Sequence, residues 1–295
     1  QRRMAIPCRD PACFPPMILP FQALTCPLDA SPLRRDAALW RCSAGHSFDI
    51  AREGYIHLLP VQNKRSRDPG DSKAMVAARR RFLAAGHYQP IADTLNRIAL
   101  AGLPAVGDAA CLDAGCGEGY YLRQFANAVA PSLRMALIGL DISKWAVQAA
   151  AKLQHDATWV VGSNARLPVA SAALDRVLCM FGFPVYAEFA RVLKPGGVLL
   201  QVDAGPDHLR ELREIIYPSL KAERKAEWHT PAGFSAPACE TLRFEVELNT
   251  GEQIADLLLM TPHLFRTTSD GRARAAALTH LSLTVDVRLA SLVRR

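Results

Sequence analysis

The chain has 295 residues, enough for one large domain or two unequal ones. Half of the residues are hydrophobic, and no apolar run is long enough to span a membrane, so a soluble protein with a sizeable core is expected. Lys and Arg number 35 against 28 Asp and Glu, and a net charge of +7 favours a polyanionic partner.

The eight cysteines are scattered, which fits a reducing cytoplasm better than a disulfide framework. The start, Gln1-Arg2-Arg3-Met4, is basic but is followed by no long apolar core and no cleavage site, so it does not read as a signal peptide. Residues 1–22 are an irregular, proline-rich extension carrying Cys8 and Cys13. Cys26-Pro27-Leu28-Asp29 and Cys42-Ser43-Ala44-Gly45-His46 then have the form of a zinc knuckle, in which two tight turns bring four ligands together. Aspartate is a harder ligand than a thiolate and less usual in a structural site. Cys26, Asp29, Cys42 and His46 therefore predict either a zinc site or a small ribbon that has lost its metal. Cys8 or Cys13 offers a replacement thiolate across a long loop.

Phe48 to Pro60 reads as short strands or a turn packing on the knuckle, which closes a first unit at 23–62. A polar linker follows, broken by Pro69-Gly70. Its Lys64, Arg65 and Arg67 can grip phosphates, or the segment is simply solvated. Asp71 or Ser72 caps a helix predicted over 73–85, stopped by Gly86. That helix carries Arg79, Arg80 and Arg81, with Phe82 and Leu83 on its apolar side. Linker and helix form a segment at 63–90, and His87-Tyr88-Gln89-Pro90 ends it.

From residue 91 to 295 helices and strands alternate, the sign of a parallel sheet covered on both faces. Strands are predicted at 111–114, 135–140, 157–161, 174–180 and 198–202. Helices are predicted at 91–101, 120–129, 144–153, 209–216 and 251–260. The stretches 244–248 and 281–287 form a final hairpin.

Between the first of these strands and its helix lies Asp113-Ala114-Gly115-Cys116-Gly117-Glu118-Gly119. Glycines allow a sharp turn and let a ligand lie against the main chain. The spacing is not Gly-x-Gly-x-x-Gly, and no lysine is present for a Walker-type loop. The stretch resembles motif I of the S-adenosylmethionine-dependent methyltransferases. The resemblance implies a Rossmann-like α/β fold with a seven-stranded class I sheet. It also implies a cofactor whose methionine part lies over Asp113, Gly115, Gly117, Glu118 and Gly119. Asp141 ends the next strand, about 20–30 residues on, where an acid takes the ribose hydroxyls. The alternative for Asp141 is a helix cap, a job for which Ser143 competes. Ser163 or Asn164 meets the adenine edge or forms a plain turn.

The front of the chain is more specific. The order knuckle, Phe-Asp-x-Ala-x-Glu-Gly-Tyr, Leu-Leu-Pro-Val-Gln, Lys-Arg-Ser-Arg-Asp-Pro-Gly-Asp, Ala-Gly-His-Tyr-Gln-Pro and then motif I resembles the bacterial 23S rRNA guanine-N1 methyltransferases, from about residue 24 to the end. The resemblance implies zinc at the knuckle, with Asp29 standing where a cysteine is expected. It implies an rRNA hairpin held by the front third, cofactor contacts from Tyr88 and His208, and a homodimer. Without it, Tyr88 would be a packed aromatic and His208 a helix-start residue.

Methyl transfer to guanine N1 requires loss of the N1 proton. Glu188 and Asp203 are the candidate acceptors. Phe181 or Phe183 can stack on a flipped base or pack in the core. The Asn-Pro-Pro-Tyr pattern of amino-group methyltransferases is absent. Two other readings remain open: a methyltransferase acting on a small molecule or protein, and a non-catalytic RNA-binding protein with the same fold.

Overall fold

Strands form where apolar residues alternate between two buried faces. In the computed structural model, which describes residues 16–60, 62, 66, 68–219 and 229–295, five short strands come first: β1 (Met17–Pro20), β2 (Arg34–Asp36), β3 (Leu39–Arg41), β4 (Ser47–Asp49) and β5 (Tyr55–His57). Helices α1 (Lys73–Ala84) and α2 (Gln89–Leu100) follow. Then come β6 (Gly107–Ala114), α3 (Tyr120–Ala128), β7 (Leu133–Asp141), α4 (Lys144–Leu153), β8 (Thr158–Val161) and β9 (Leu174–Met180). The chain continues through α5 (Tyr186–Val192), β10 (Leu193–Ala204), α6 (Arg210–Ile216) and β11 (Ala238–Leu248). It ends with α7 (Gly251–Met260), α8 (His263–Arg266), α9 (Ser269–Ala276) and β12 (Leu281–Val293). Cys8, Cys13, Lys64, Arg65 and Arg67 lie outside the described residues.

The main sheet has nine strands, in the order β11-β12-β10-β9-β6-β7-β8-β5, with β1 beside β7. The seven strands expected from the cofactor part are its body. β12 runs antiparallel to both β10 and β11, and the strands from β10 to β8 are parallel. The front of the chain adds two more. β5 extends the sheet beyond β8, and β1 pairs with the first half of β7, whose second half pairs with β8. β2, β3 and β4 form a separate antiparallel sheet.

The final hairpin is longer than the two predicted stretches, because its outer halves are polar on one side and hide the alternation. Residues 262–280, where no period stands out, hold α8 and α9.

Leu112, Ile138, Leu140, Val160, Val177 and Cys179 point to one face of the sheet; Cys111, Met135, Leu137, Trp159, Val161 and Leu178 point to the other. Apolar residues on both faces of each strand are what a sheet covered on both sides requires. The second face is packed by α1, α2, α3, α4, α6 and α7. The first is packed by α5 and by the ribbon residues Phe21, Leu24, Leu33 and Trp40. The crossover at 162–173 from β8 to β9 contains no helix. The ribbon fills the vacated side. Thr25 N–H donates to Pro168 O at 3.0 Å, and Ala170 N–H to Ala23 O at 2.9 Å. Burial of each large apolar side chain there contributes about 1.5–3 kcal/mol.

Candidate functional site

The glycine turn connects β6 to α3 at the carboxyl ends of the parallel strands, where ligands of such sheets bind. Gly115, Gly117 and Gly119 all have positive φ, at 96°, 55° and 80°. Their reasons differ. A Cβ on Gly119 would stand 2.5 Å from Trp159 Cη2, so this glycine is needed for packing. A Cβ on Gly115 would meet nothing within 4 Å, which leaves room for a ligand against the backbone. Above Gly117 lies Arg79.

Three acids surround the turn. Asp113 is fully buried, and neither carboxylate oxygen has a hydrogen-bond partner among the described residues. Burial, with the nearby Asp141, pushes its pKa up to about 8. Asp141 accepts from the amides of Gly117 (2.9 Å) and Ser143 (2.8 Å). Ser143 rather than Asp141 caps α4, through Ala146 N–H. Glu118 is buried against Arg123 at 2.7 Å, with Oε1 left unpaired.

An aromatic wall stands opposite. Tyr88 Oη lies 3.4 Å from His208 Nε2, and Phe181 stacks on His208 with centroids 5.7 Å apart. Burial lowers the His208 pKa to about 4, helped by the charges of His263 and Arg213, so the ring is neutral at pH 7. Its Nδ1 is buried and unpartnered. Phe181 itself has φ 52°, and Leu209, which follows His208, has φ 54°. A bulky residue in this region is strained and is held there by its surroundings. Asn164 donates to Ala114 O at 3.4 Å and so lies beside the same strand end.

S-adenosylmethionine, implied by the resemblance, fits these residues. Unpaired buried polar atoms are costly unless a ligand supplies the partner. Asp113 offers two such atoms to an ammonium, the space at Gly115 admits a close-lying chain, and Asp141 retains acceptor capacity for hydroxyls.

The structure corrects three candidates. Glu188 is not a free base: its carboxylate takes both the Leu167 amide (2.7 Å) and the Arg191 guanidinium (2.8 Å). Burial pushes its pKa up, but the hydrogen bonds from Arg191 and the Leu167 amide, with the charges of Arg191 and Arg166, together outweigh it and hold it below the usual range. Arg79 pairs with Asp71 at 2.7 Å and donates to Met260 O at 2.8 Å. Arg81 is engaged by the Asp256 carboxylate with both its Nε and its Nη2. Both guanidinia are thus tied to other parts of the chain, Arg79 to Asp71 and α7 and Arg81 to α7. Arg80 is exposed and, among the described residues, pairs with no acid. Asp203, the penultimate residue of β10, accepts from Gln201 Nε2 at 2.8 Å and has its pKa raised by burial.

The four predicted metal ligands come together, with their donor atoms within 4.8 Å of one another. His46 Nδ1 lies 3.5 Å from Cys26 Sγ, 3.4 Å from Cys42 Sγ and 3.2 Å from Asp29 Oδ2. Tetrahedral zinc with bonds of about 2.0–2.3 Å needs ligand separations of ~3.3–3.8 Å. The cluster therefore fits Zn2+. Ser31 contributes a residue that the spacing did not reveal. Its hydroxyl (2.6 Å) and amide (2.9 Å) donate to Asp29 Oδ1, which leaves Oδ2 facing the thiolates. Hydrogen bonding from Ser31 holds the Asp29 carboxyl well below its ordinary range. A serine two residues after an aspartate is a visible turn signal. The Arg123–Glu118 pair and the Phe181–His208 stack have no such signal.

The zinc-ribbon family described as RlmA, N-terminal, matches residues 24–67, and the family described as Methyltransferase domain matches 111–197. A candidate 23S rRNA (guanine-N(1)-)-methyltransferase of Micromonospora griseorubida is 36% identical over 93% of this chain and 98% of its own length. The 23S rRNA (guanine(748)-N(1))-methyltransferase of Streptomyces fradiae is 34% identical over 86% of this chain and 90% of its own. A malonyl-[acyl-carrier protein] O-methyltransferase of Enterobacter lignolyticus is 33% identical but covers only 50% of this chain and 59% of its own. The likeness to rRNA enzymes thus runs through ribbon and sheet alike, and the chain belongs to the 23S rRNA (guanine-N1)-methyltransferase family.

Proposed function

We propose that the protein transfers a methyl group from S-adenosylmethionine to N1 of a guanine in a 23S rRNA hairpin loop, in the cytoplasm. One observation carries this reading: a ribbon that gathers four candidate metal ligands packs directly on a sheet whose glycine turn adjoins an unpaired, buried carboxylate. Relatives named for rRNA methylation align over both parts, whereas the relative named as a malonyl-[acyl-carrier protein] O-methyltransferase aligns over about half of the chain.

The cofactor supplies a methyl that is already electrophilic. The chain's own work is to bind, to align and to exclude water. Asp113 would hold the ammonium of the donor and Asp141 its ribose, with Asn164 near the adenine. Tyr88, Phe181 and the neutral His208 would wall the methyl-bearing end. Guanine N1 must lose a proton, and Asp203 is the remaining acceptor candidate because burial raises its affinity for one. Cys26, Asp29, Cys42 and His46 would hold zinc and so keep the ribbon folded.

Two surface features support an RNA substrate. Phe183 is 90% exposed just beyond β9, placed to stack on an unpaired base. A cavity of about 340 Å3 opens beside Ile142 and Val161, walled by Trp145, Lys144 and Pro69. Lys73 lies 4.0 Å over the Trp145 ring. Charge beside an aromatic face suits a single-stranded nucleic acid.

Incubation with labelled cofactor and unmodified 23S rRNA tests the reading. A reverse-transcription stop at one hairpin guanine is the expected result. Label found only in protein or small molecules would overturn it.

A further inference from the structure

Arg79 lies over the glycine turn, a telling place for the donor. It projects from α1 over the glycine turn, its Nη1 3.4 Å from where a Cβ on Gly117 would be and its Cδ 3.8 Å away. The side chain is 29% exposed. Asp71 fixes Nη1 and the Met260 carbonyl fixes Nη2, so the guanidinium is held from the linker on one side and from α7 on the other. A guanidinium has five N–H donors, and two are engaged here.

The turn is otherwise acidic. Asp113, Glu118 and Asp141 are all buried or half-buried beside it. Two other cations are close at hand: Arg123 is committed to Glu118 through both its carboxylate and its carbonyl, and Arg80, whose charge also acts on Glu118, is exposed on the outer side of α1. The positive charge of Arg79 is felt at Glu118, Asp141, Tyr88 and Tyr121. Its guanidinium lies against the Gly117 position of the turn.

The amino-acid end of the donor carries an ammonium and a carboxylate. Asp113 suits the first. The second needs donors, and Arg79 brings N–H groups that Asp71 and Met260 O leave unengaged.

Resting on the methyl-donor reading above, we propose that Arg79 binds the carboxylate of the donor's methionine part. It therefore sets a requirement for an intact amino-acid end, and is not an RNA contact. Asp71 and Met260 O hold the guanidinium in orientation before the cofactor arrives, so little side-chain freedom is lost on binding.

Calorimetry with two ligands tests this. S-adenosylhomocysteine carries the carboxylate; 5′-methylthioadenosine shares the adenosine and the sulfur but lacks the amino-acid part. In Arg79→Gln, which keeps hydrogen-bonding capacity toward Asp71 and Met260 O, S-adenosylhomocysteine should bind about 10- to 100-fold more weakly. Methylthioadenosine should bind within about two-fold of wild type, which also reports that the variant is folded. Arg79→Lys should recover part of the loss. An equal loss for both ligands would make the role structural and overturn the proposal. Unchanged S-adenosylhomocysteine binding, with weakened RNA binding, would overturn it in favour of an RNA contact. Failure of the wild-type protein to bind S-adenosylhomocysteine would instead overturn the methyl-donor reading itself.

Discussion

Phe181 and His208 lie face to face, with their planes 28° apart, and each owes its place to left-handed backbone at or beside it. An offset aromatic pair contributes about 0.5–1.5 kcal/mol beyond its area. Phe181→Ala should weaken S-adenosylhomocysteine binding several-fold in calorimetry. Because Phe181 is 39% exposed, the melting temperature should change little. Unaltered affinity would show that the stack does not face the cofactor.

Asp113 titrates against the usual direction. Its folded pKa of about 8 lies above the ordinary carboxylate value, so in the free protein it holds a proton at pH 7. An ammonium beside it favours the charged form. Cofactor binding at pH 7 should therefore release close to one proton, seen as a dependence of calorimetric heat on buffer ionisation enthalpy. Without ligand, the buried charge costs stability as pH rises from about 4 to 8. Asp113→Asn should raise the melting temperature at pH 8, leave it unchanged at pH 4, and abolish the proton release.

His208 acts in the opposite sense. Its folded pKa of about 4 lies below the unfolded value of 6.5. The unfolded chain binds the proton first, so stability falls as pH drops from about 6.5 to 4, by up to ~3 kcal/mol. Chemical denaturation at pH 7 and pH 5 should show a smaller difference in His208→Gln than in wild type.

Trp159 lies under the sheet's glycines. A Cβ on Gly139 would overlap its indole carbons, and one on Gly119 would nearly do so. Gly139→Ala should cost about 1–3 kcal/mol in urea unfolding, as overpacking does. The added change Trp159→Phe should return part of that loss.

The Cys26–Asp29–Cys42–His46 cluster should bind one zinc ion per chain by elemental analysis. Asp29→Cys should bind it more tightly, as a softer donor, in competition with a chromophoric chelator. Ser31→Ala should bind it more weakly, by about 10-fold or more, because Asp29 loses the hydrogen bonds that orient it. Stripping the metal should lower the melting temperature of the whole chain.

Most of the sheet could be read from the sequence because its parallel strands are short, mainly apolar runs set off by glycine or charged residues. Cys111–Ala114, Leu137–Leu140 and Leu174–Met180 announce themselves in this way. The glycine turn and the four knuckle ligands could be read for a similar reason: their chemistry needs fixed local spacing. What escaped depends on partners far along the chain. Arg79 and Arg81 look like a basic stripe until Asp71, Met260 and Asp256 are brought beside them. Glu188 looks available until Leu167 and Arg191 close on it. β5 reads as part of the knuckle because only the fold shows that β8 has an open edge.

The ribbon occupies the side of the sheet that a crossover helix would otherwise protect. It cannot be cut away as a detachable cassette. Removing residues before about 60 would strip cover from Leu112, Ile138, Leu140 and Val160, and the truncated remainder should aggregate rather than survive as a minimal enzyme. If the Cys26–Asp29–Cys42–His46 cluster carries zinc, metal supply is thereby tied to the integrity of the cofactor half as well as the ribbon.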